Sequence, residues 1–320
     1  MANMTLTING KEVTVPAGTS ILDAAQGAGF FVPTFCYDPA LPIYGGCRIC
    51  MVEVKGARTL VASCGAEVAN GMVVETESPA VVEARKTILE LLLANHPAEC
   101  ITCEKNGNCR LQDYAYRYQV DPSRIKGERH NYPVEDNNPY IVRNMNRCIL
   151  CGKCVRTCKQ VPGRAVVAFA YRGFNTKVTT PMDTDLAQSD CVYCARCLSV
   201  CPVGALTYKN MVGKGRQYEI RREPVTCLFC DAGCTFDINY KGDKAIGITA
   251  KAPGNGRPLC LKGRLGLELL YVDDPMAPML KKDDKFVSVS WAEALGLDGV
   301  LKRLKELKKY NPEVRGKPMS

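Results

Sequence analysis

The sequence predicts an α+β fold divided among several small domains, and three observations lead there. Short segments near the amino terminus alternate polar and apolar residues around turn signals. One long amphipathic helix is bracketed by a serine and a proline. Nineteen cysteines fall in dense groups, and 320 residues is longer than a single domain of usual size.

The elements follow in order. Thr5–Ile8 and Lys11–Val15 alternate about Asn9-Gly10, a hairpin turn whose residues both take positive φ. Ser20 is placed to cap a short helix with Asp23 in the capping-box position, and Gly27 and Gly29 end it. Strands are expected at Arg48–Val54, Thr59–Ala62 and Met72–Thr76. A helix should run from Pro79 to Asn95, capped by Ser78 and stopped by Pro97, with Val81, Ala84, Ile88, Leu91 and Leu92 on its apolar face. A second helix near Leu111–Tyr118 puts Leu111, Tyr114 and Tyr118 on one side, and Asp121–Pro139 reads as a polar loop in which His130 is solvated. Between Tyr140 and Tyr208 two cysteine runs repeat about 40 residues apart, and a further group lies in Gly-rich strand-turn sequence at Cys227–Cys260. Ser290-Trp291-Ala292-Glu293 is a capping box opening a helix with Leu297, Leu301 and Leu304 on one face, and Asn311–Ser320 should fray.

The cysteine groups resolve into five sets of four ligands. Cys36, Cys47, Cys50 and Cys64 pair a central C-x2-C with two distant cysteines, which suits a loop wrapped round a small [2Fe–2S] cluster, with Gly45 and Gly46 allowing close backbone approach. His96, Cys100, Cys103 and Cys109 open directly after a helix that would hold the imidazole in place. Three thiolates need a fourth ligand, and a histidine there should raise a cluster's potential as it does in Rieske centres. Cys148, Cys151, Cys154 and Cys158 read C-x2-C-x2-C-x3-C, and Cys191, Cys194, Cys197 and Cys201 repeat the run before Pro202. That is the two-cluster signature in which the fourth cysteine of each run serves the other cluster. It pairs Cys148, Cys151 and Cys154 with Cys201, and Cys191, Cys194 and Cys197 with Cys158. Cys227, Cys230, Cys234 and Cys260 form the fifth set. The first, second and fifth sets would each also suit zinc if met alone. Together the five sets need twenty ligands, and nineteen cysteines with His96 supply them, giving one [2Fe–2S] and four [4Fe–4S] clusters.

The remaining composition narrows the function. The formal charge of +9 would invite a nucleic-acid reading, but five oxidised clusters would carry roughly −9, so the cations read as compensation for buried cluster charge. Met1–Gly10 lacks the basic start and apolar core of a secretory leader, and the apolar stretch Ile88–Ala94 is too short to span a membrane. Grouped cysteines without a leader point to metal ligation in a cytoplasmic protein rather than to disulfides. No dinucleotide fingerprint, Walker loop, serine elbow or HExxH motif is present, so no catalytic residue is assigned.

With these motifs in view, residues 1–210 resemble the amino-terminal part of the large iron–sulfur subunit of respiratory complex I, an arrangement shared by NAD-linked hydrogenases and formate dehydrogenases. The first two ligand sets and Arg147-Cys148-Ile149-Leu150-Cys151-Gly152-Lys153-Cys154-Val155-Arg156 carry the likeness. It implies a β-grasp [2Fe–2S] domain, a helical domain with one His and three Cys ligands, and a two-cluster ferredoxin domain. Residues 218–275 resemble the small β-rich [4Fe–4S] domain that opens molybdopterin oxidoreductases, with Cys260-Leu261-Lys262-Gly263 matching its C-x-K-G. In that family the lysine relays electrons to the pterin. Here Lys262 is matched by motif, and the catalytic cysteine or selenocysteine region is absent. The implied domains are 1–78, 79–138, 139–215, 216–275 and a helical tail at 276–320.

The resemblance implies an electron-wiring subunit of a cytoplasmic, multi-subunit NAD(P)H-dependent oxidoreductase, of the flavin-based electron-bifurcating type found in anaerobes. FMN and NAD(P) would sit on a partner subunit, beside a small [2Fe–2S] subunit. Ferredoxin or a catalytic hydrogenase or formate dehydrogenase subunit would be a further partner. The alternatives are the front of a molybdenum or tungsten formate dehydrogenase catalytic subunit, and a zinc-stabilised interaction protein favoured by the basic helix of Lys302, Arg303, Lys305, Lys308 and Lys309.

Overall fold

The computed structural model describes residues 2–122, 124–250, 259–260, 263–264, 278–283 and 285–310. The chain divides into two compact units, Met1–Leu267 and Glu268–Ser320.

The first unit opens on a hairpin of β1 (Asn3–Ile8) and β2 (Lys11–Pro16). Asn9 and Gly10 turn it, both at positive φ. The short helix α1 (Ile21–Gly27) follows. The Ser20 hydroxyl accepts from the Asp23 amide at 3.0 Å and donates to the Asp23 carboxylate at 2.7 Å. Strands β3 (Met51–Val54), β4 (Val61–Ala62) and β5 (Val73–Glu75) complete a five-stranded sheet of order β2-β1-β5-β3-β4, in which β1 and β5 run parallel. Leu6, Ile8, Val52 and Val74 pack from this sheet against Ile21 and Leu22 of α1. The third strand begins at Met51 rather than Arg48. Arg48 is at positive φ, within a loop that carries Cys47 and Cys50 and cannot extend the ladder.

Helix α2 (Pro79–Asn95) is capped by Ser78, whose hydroxyl accepts from the Val81 amide at 3.4 Å, and His96 forms its carboxyl-terminal cap. Its inward side differs from the expected stripe. Val81, Arg85, Leu89 and Glu90 are buried, whereas Leu91 is exposed. Hydrophobic spacing alone misses a polar anchor on that side. The fully buried Arg85 guanidinium donates to Glu77 at 2.9 Å, to the Tyr118 hydroxyl at 2.8 Å and to the Met51 carbonyl at 2.9 Å. Helix α3 (Arg110–Arg117) presents Leu111 and Tyr114, followed by Tyr118, to the interior as expected. His130 is half-buried rather than fully solvated. It stacks on Tyr132 and Phe174 at ring separations of 4.9 and 4.1 Å.

The cysteine repeat builds on β6 (Ile141–Arg143), α4 (Lys153–Gln160), the hairpin β7 (Ala168–Ala170) and β8 (Lys177–Thr179), α5 (Arg196–Val200) and β9 (Leu206–Tyr208). Strands β6 and β9 pair antiparallel, and the two helices pack together. The antiparallel strands β10 (Ile220–Thr226), β11 (Thr235–Lys241) and β12 (Lys244–Ala250) form a sheet in chain order.

In the second unit β13 (Met279–Lys282) and β14 (Lys285–Ser288) form a hairpin. Ser290 accepts from the Glu293 amide at 3.1 Å, but the helix it opens is short. The segment is two helices, α6 (Trp291–Ala294) and α7 (Asp298–Tyr310), broken at Gly296, whose φ is +65°. Leu297 and Leu301 are exposed. The Leu304 side chain, Lys262 and residues 311–320 lie outside the described residues.

Candidate iron–sulfur centres

The five sets occupy loops and helix starts held by the elements above. In the first set the Cys36 amide donates to the Cys47 sulfur at 3.5 Å. Hydrogen bonds from Cys47 and Cys64 hold the Cys36 thiol far below its usual pKa, while bonding to Cys36 pushes Cys47 and Cys64 up. Cys50 is brought down to about 6, chiefly by its hydrogen bond with Cys64. The four sulfurs are thus linked into one group. The Arg156 guanidinium reaches across from α4 to the carbonyls of Cys36 and Pro42, the latter at 2.6 Å, pinning this loop to the cysteine repeat. Beside it Lys153, itself buried, forms an ion pair with Asp38 at 3.2 Å.

His96, Cys100, Cys103 and Cys109 line one pocket with Arg147 and Gly204. The end of α2 delivers the histidine and the start of α3 delivers Cys109. His96 Nδ1 is buried without a hydrogen-bond partner. Burial, helped by Arg147 and Arg129, lowers the imidazole pKa to about 4. A neutral ring with an unpaired buried nitrogen is what a metal-ligating histidine requires. Gly204 makes the approach possible, because a Cβ there would lie 2.5 Å from the Cys103 sulfur.

The repeat is reproduced in its backbone. Leu150 and Tyr193 lie at matching places in the two runs, both at positive φ, and their amides donate to the sulfurs of Cys148 and Cys191 at 3.4 Å each. Gly152 and Ala195, again matching, are also at positive φ and precede α4 and α5. Such loops turn successive N–H groups toward one point and make an anion cradle. Cys148, Cys151, Cys154 and Cys201 line one apolar cavity, which Cys197 also touches. Burial raises the thiol pKa of Cys148 to about 11 and of Cys151 to about 12. Cys158 lies within electrostatic reach of Cys191 and Cys197, which in turn feel Cys194. Cys201 thus lies beside the first run, and Cys158 lies beside Cys191 and Cys197 of the second.

In the fifth set the Cys227 amide donates to the Cys234 carbonyl at 2.8 Å, with both residues buried. Cys230 and Cys260 are exposed. A Cβ on Gly263 would lie 3.5 Å from the Cys227 sulfur, so Gly263 sits against that side of the site.

Two apolar cores connect the sets. One contains Cys36, Cys109 and Cys151, with Cys47, Cys148 and Cys201 packed against it. The other contains Cys227 and Cys234, with Cys154, Cys158, Cys191, Cys197 and Cys201 packed against it. Among the described residues no group of three or more His, Cys, Asp or Glu side chains converges on a single metal ion.

Comparison with known proteins fits this arrangement. The 2Fe-2S iron-sulfur cluster binding domain matches residues 1–79. The NADH-ubiquinone oxidoreductase-G iron-sulfur binding region matches 85–124, and the NADH-quinone oxidoreductase subunit 3 ferredoxin-like domain matches 138–207. A chain of an NAD+-reducing [NiFe]-hydrogenase superposes with a TM-score of 0.62 at 30% identity, covering 67% of this chain and 91% of that one. This chain belongs to the family of iron–sulfur subunits of NADH-quinone oxidoreductases and NAD(P)-reducing hydrogenases. Within the family, the mitochondrial NADH-ubiquinone oxidoreductase 78 kDa subunit of Neurospora crassa is 34% identical over 92% of this chain and 40% of its own length. The NADP-reducing hydrogenase subunit HndD of Solidesulfovibrio fructosivorans is 41% identical over 64% of this chain and 36% of its own. The chain spans less than half the length of these two relatives.

Sequence reasoning found the sulfurs but not what supports them. Arg85, Lys153, Arg156, Gly204 and Arg264 carry no ligand signature. The one visible hint was that Lys153 and Arg196 occupy matching positions before the third cysteine of each run.

Proposed function

We propose that this chain is the electron-wiring subunit of an NAD(P)H-linked oxidoreductase, with one [2Fe–2S] and four [4Fe–4S] clusters on the five ligand sets named above. The observation that carries the reading is the sharing of cores. Ligands of the first three sets border one apolar core, ligands of the last three border another, and Cys201 borders both. The clusters supply one-electron redox chemistry when bound. The chain's own contribution is to hold each ligand set, exclude water and keep successive sites within continuous low-dielectric packing. Amide donors to Cys47, Cys148 and Cys191 stabilise charge on sulfur and so help set potential.

No described helix is long and apolar enough to cross a membrane. The partners in this reading are a flavin subunit that exchanges hydride with NAD(P)H and an acceptor subunit or ferredoxin, and electron bifurcation is its finer form. The test is reduction by NADH or NADPH, followed by the bleaching of cluster absorbance in the natively purified complex. Bleaching that depends on a copurifying flavoprotein supports the reading. Clusters that dithionite reduces but neither nucleotide reduces, with no flavoprotein present, would remove it.

A further inference from the structure

Arg264 stands at the junction of the last two ligand sets. Its backbone amide donates to the Cys260 carbonyl at 3.1 Å, one turn beyond that cysteine, and its neighbour Gly263 faces the Cys227 sulfur. Its side chain turns the other way, toward the cysteine repeat. The guanidinium lies 5.5 Å from the centre of the Tyr140 ring, which packs edge-on against Tyr193, the residue whose amide donates to Cys191. The charge is within electrostatic reach of Cys194, Cys197 and Tyr208. The residue is 5% exposed, and Nε and Nη2 are buried with no hydrogen-bond partner.

A buried guanidinium with no counter-ion among the described residues is costly. It is tolerated where an anion completes the site. An anionic cluster on the side of Cys194 and Cys197 would do so, and its reduction would add negative charge beside the cation.

We propose that Arg264 is a positioning cation that sets the potential of the cluster on Cys158, Cys191, Cys194 and Cys197. This rests on the cluster assignment above. The fixed positive charge favours the reduced state of that cluster, so electrons arriving there are held.

The experiment is an anaerobic, EPR-monitored redox titration of the natively purified complex carrying Arg264→Met, Arg264→Gln or Arg264→Lys, with iron measured on each. Both neutral variants should keep their iron and show one [4Fe–4S] signal moved to lower potential. A shift of about 59 mV would correspond to a tenfold change in the oxidised-to-reduced ratio. Arg264→Lys should stay near the parent value, and the [2Fe–2S] signal should not move in any variant. Unmoved potentials in iron-replete neutral variants would overturn the proposal. So would loss of iron from both neutral variants, which would make Arg264 a structural prop. A parent complex without iron would instead remove the cluster assignment itself.

Discussion

Replacing Arg85 by methionine should loosen the joint between the amino-terminal sheet and helices α2 and α3. The guanidinium makes three charge-assisted hydrogen bonds, to Glu77, Tyr118 and Met51, each worth about 2 kcal/mol. Methionine keeps much of the packing of the stem and recovers the desolvation cost of burying the charge, about 4 kcal/mol. Glu77 is 40% exposed and returns to water, and Tyr118 can still donate to it at 3.1 Å. The Met51 carbonyl has no such alternative and adds about 1 kcal/mol. The net loss is about 3 kcal/mol, which corresponds to roughly a hundredfold in the local opening constant. Hydrogen exchange followed by mass spectrometry on the intact complex reads this directly. Amides of Met51–Val54 and the middle of α2 should exchange about a hundredfold faster, while β10–β12 stay unchanged. Unaltered protection in α2 and β3 would refute the argument that this polar anchor, rather than the apolar stripe, seats the helix.

Other outcomes follow from the same geometry. Gly204→Ala should drive the Cys103 sulfur aside and lower iron by about four atoms per chain without disturbing the other signals, as iron analysis with EPR would show. His96→Cys should keep its cluster at a lower potential and His96→Ala should lose it, and an unchanged titration in either would remove His96 as a ligand. The folded site holds His96 neutral down to about pH 4, whereas the unfolded chain takes up a proton below about 6.5. Stability from this group is therefore complete above about pH 6.5 and is lost as pH falls toward 4. The protection of amides around Cys100–Thr102 in a pH series should follow that window. Cys201→Ser should abolish the same EPR signal as Cys154→Ser, and Cys158→Ser the same signal as Cys197→Ser. The opposite pairing would contradict the exchange of fourth ligands.

Much of the fold was legible because local chemistry fixed it. Asn9-Gly10, the Ser20 box, Ser78 with Pro79, and the Ser290 box each appear where short-range rules put them. The errors fall where tertiary structure overrides a local pattern. Arg48 looks like a strand residue but belongs to a loop whose shape follows from its cysteines. Leu91 fits the apolar stripe of α2 yet is exposed, because Arg85 and Glu90 take the inward positions. Glu90 is met there by Arg124, a pairing across 34 residues that no periodicity encodes. His130 looked solvated because its stacking partner Phe174 is far away in sequence. The proposed ligand sets come from cysteine spacing, which the geometry of what thiolates hold constrains. Their supports, Gly204 beneath Cys103 and Arg264 beyond Cys260, arise only when distant segments meet.

The central claim is tested most directly by elemental analysis of the complex purified natively and without oxygen, with partner iron subtracted. The account predicts about eighteen iron atoms per chain and matching acid-labile sulfide. Zinc in place of iron, or iron far short of that number in a protein whose EPR shows fewer than five centres, would contradict it.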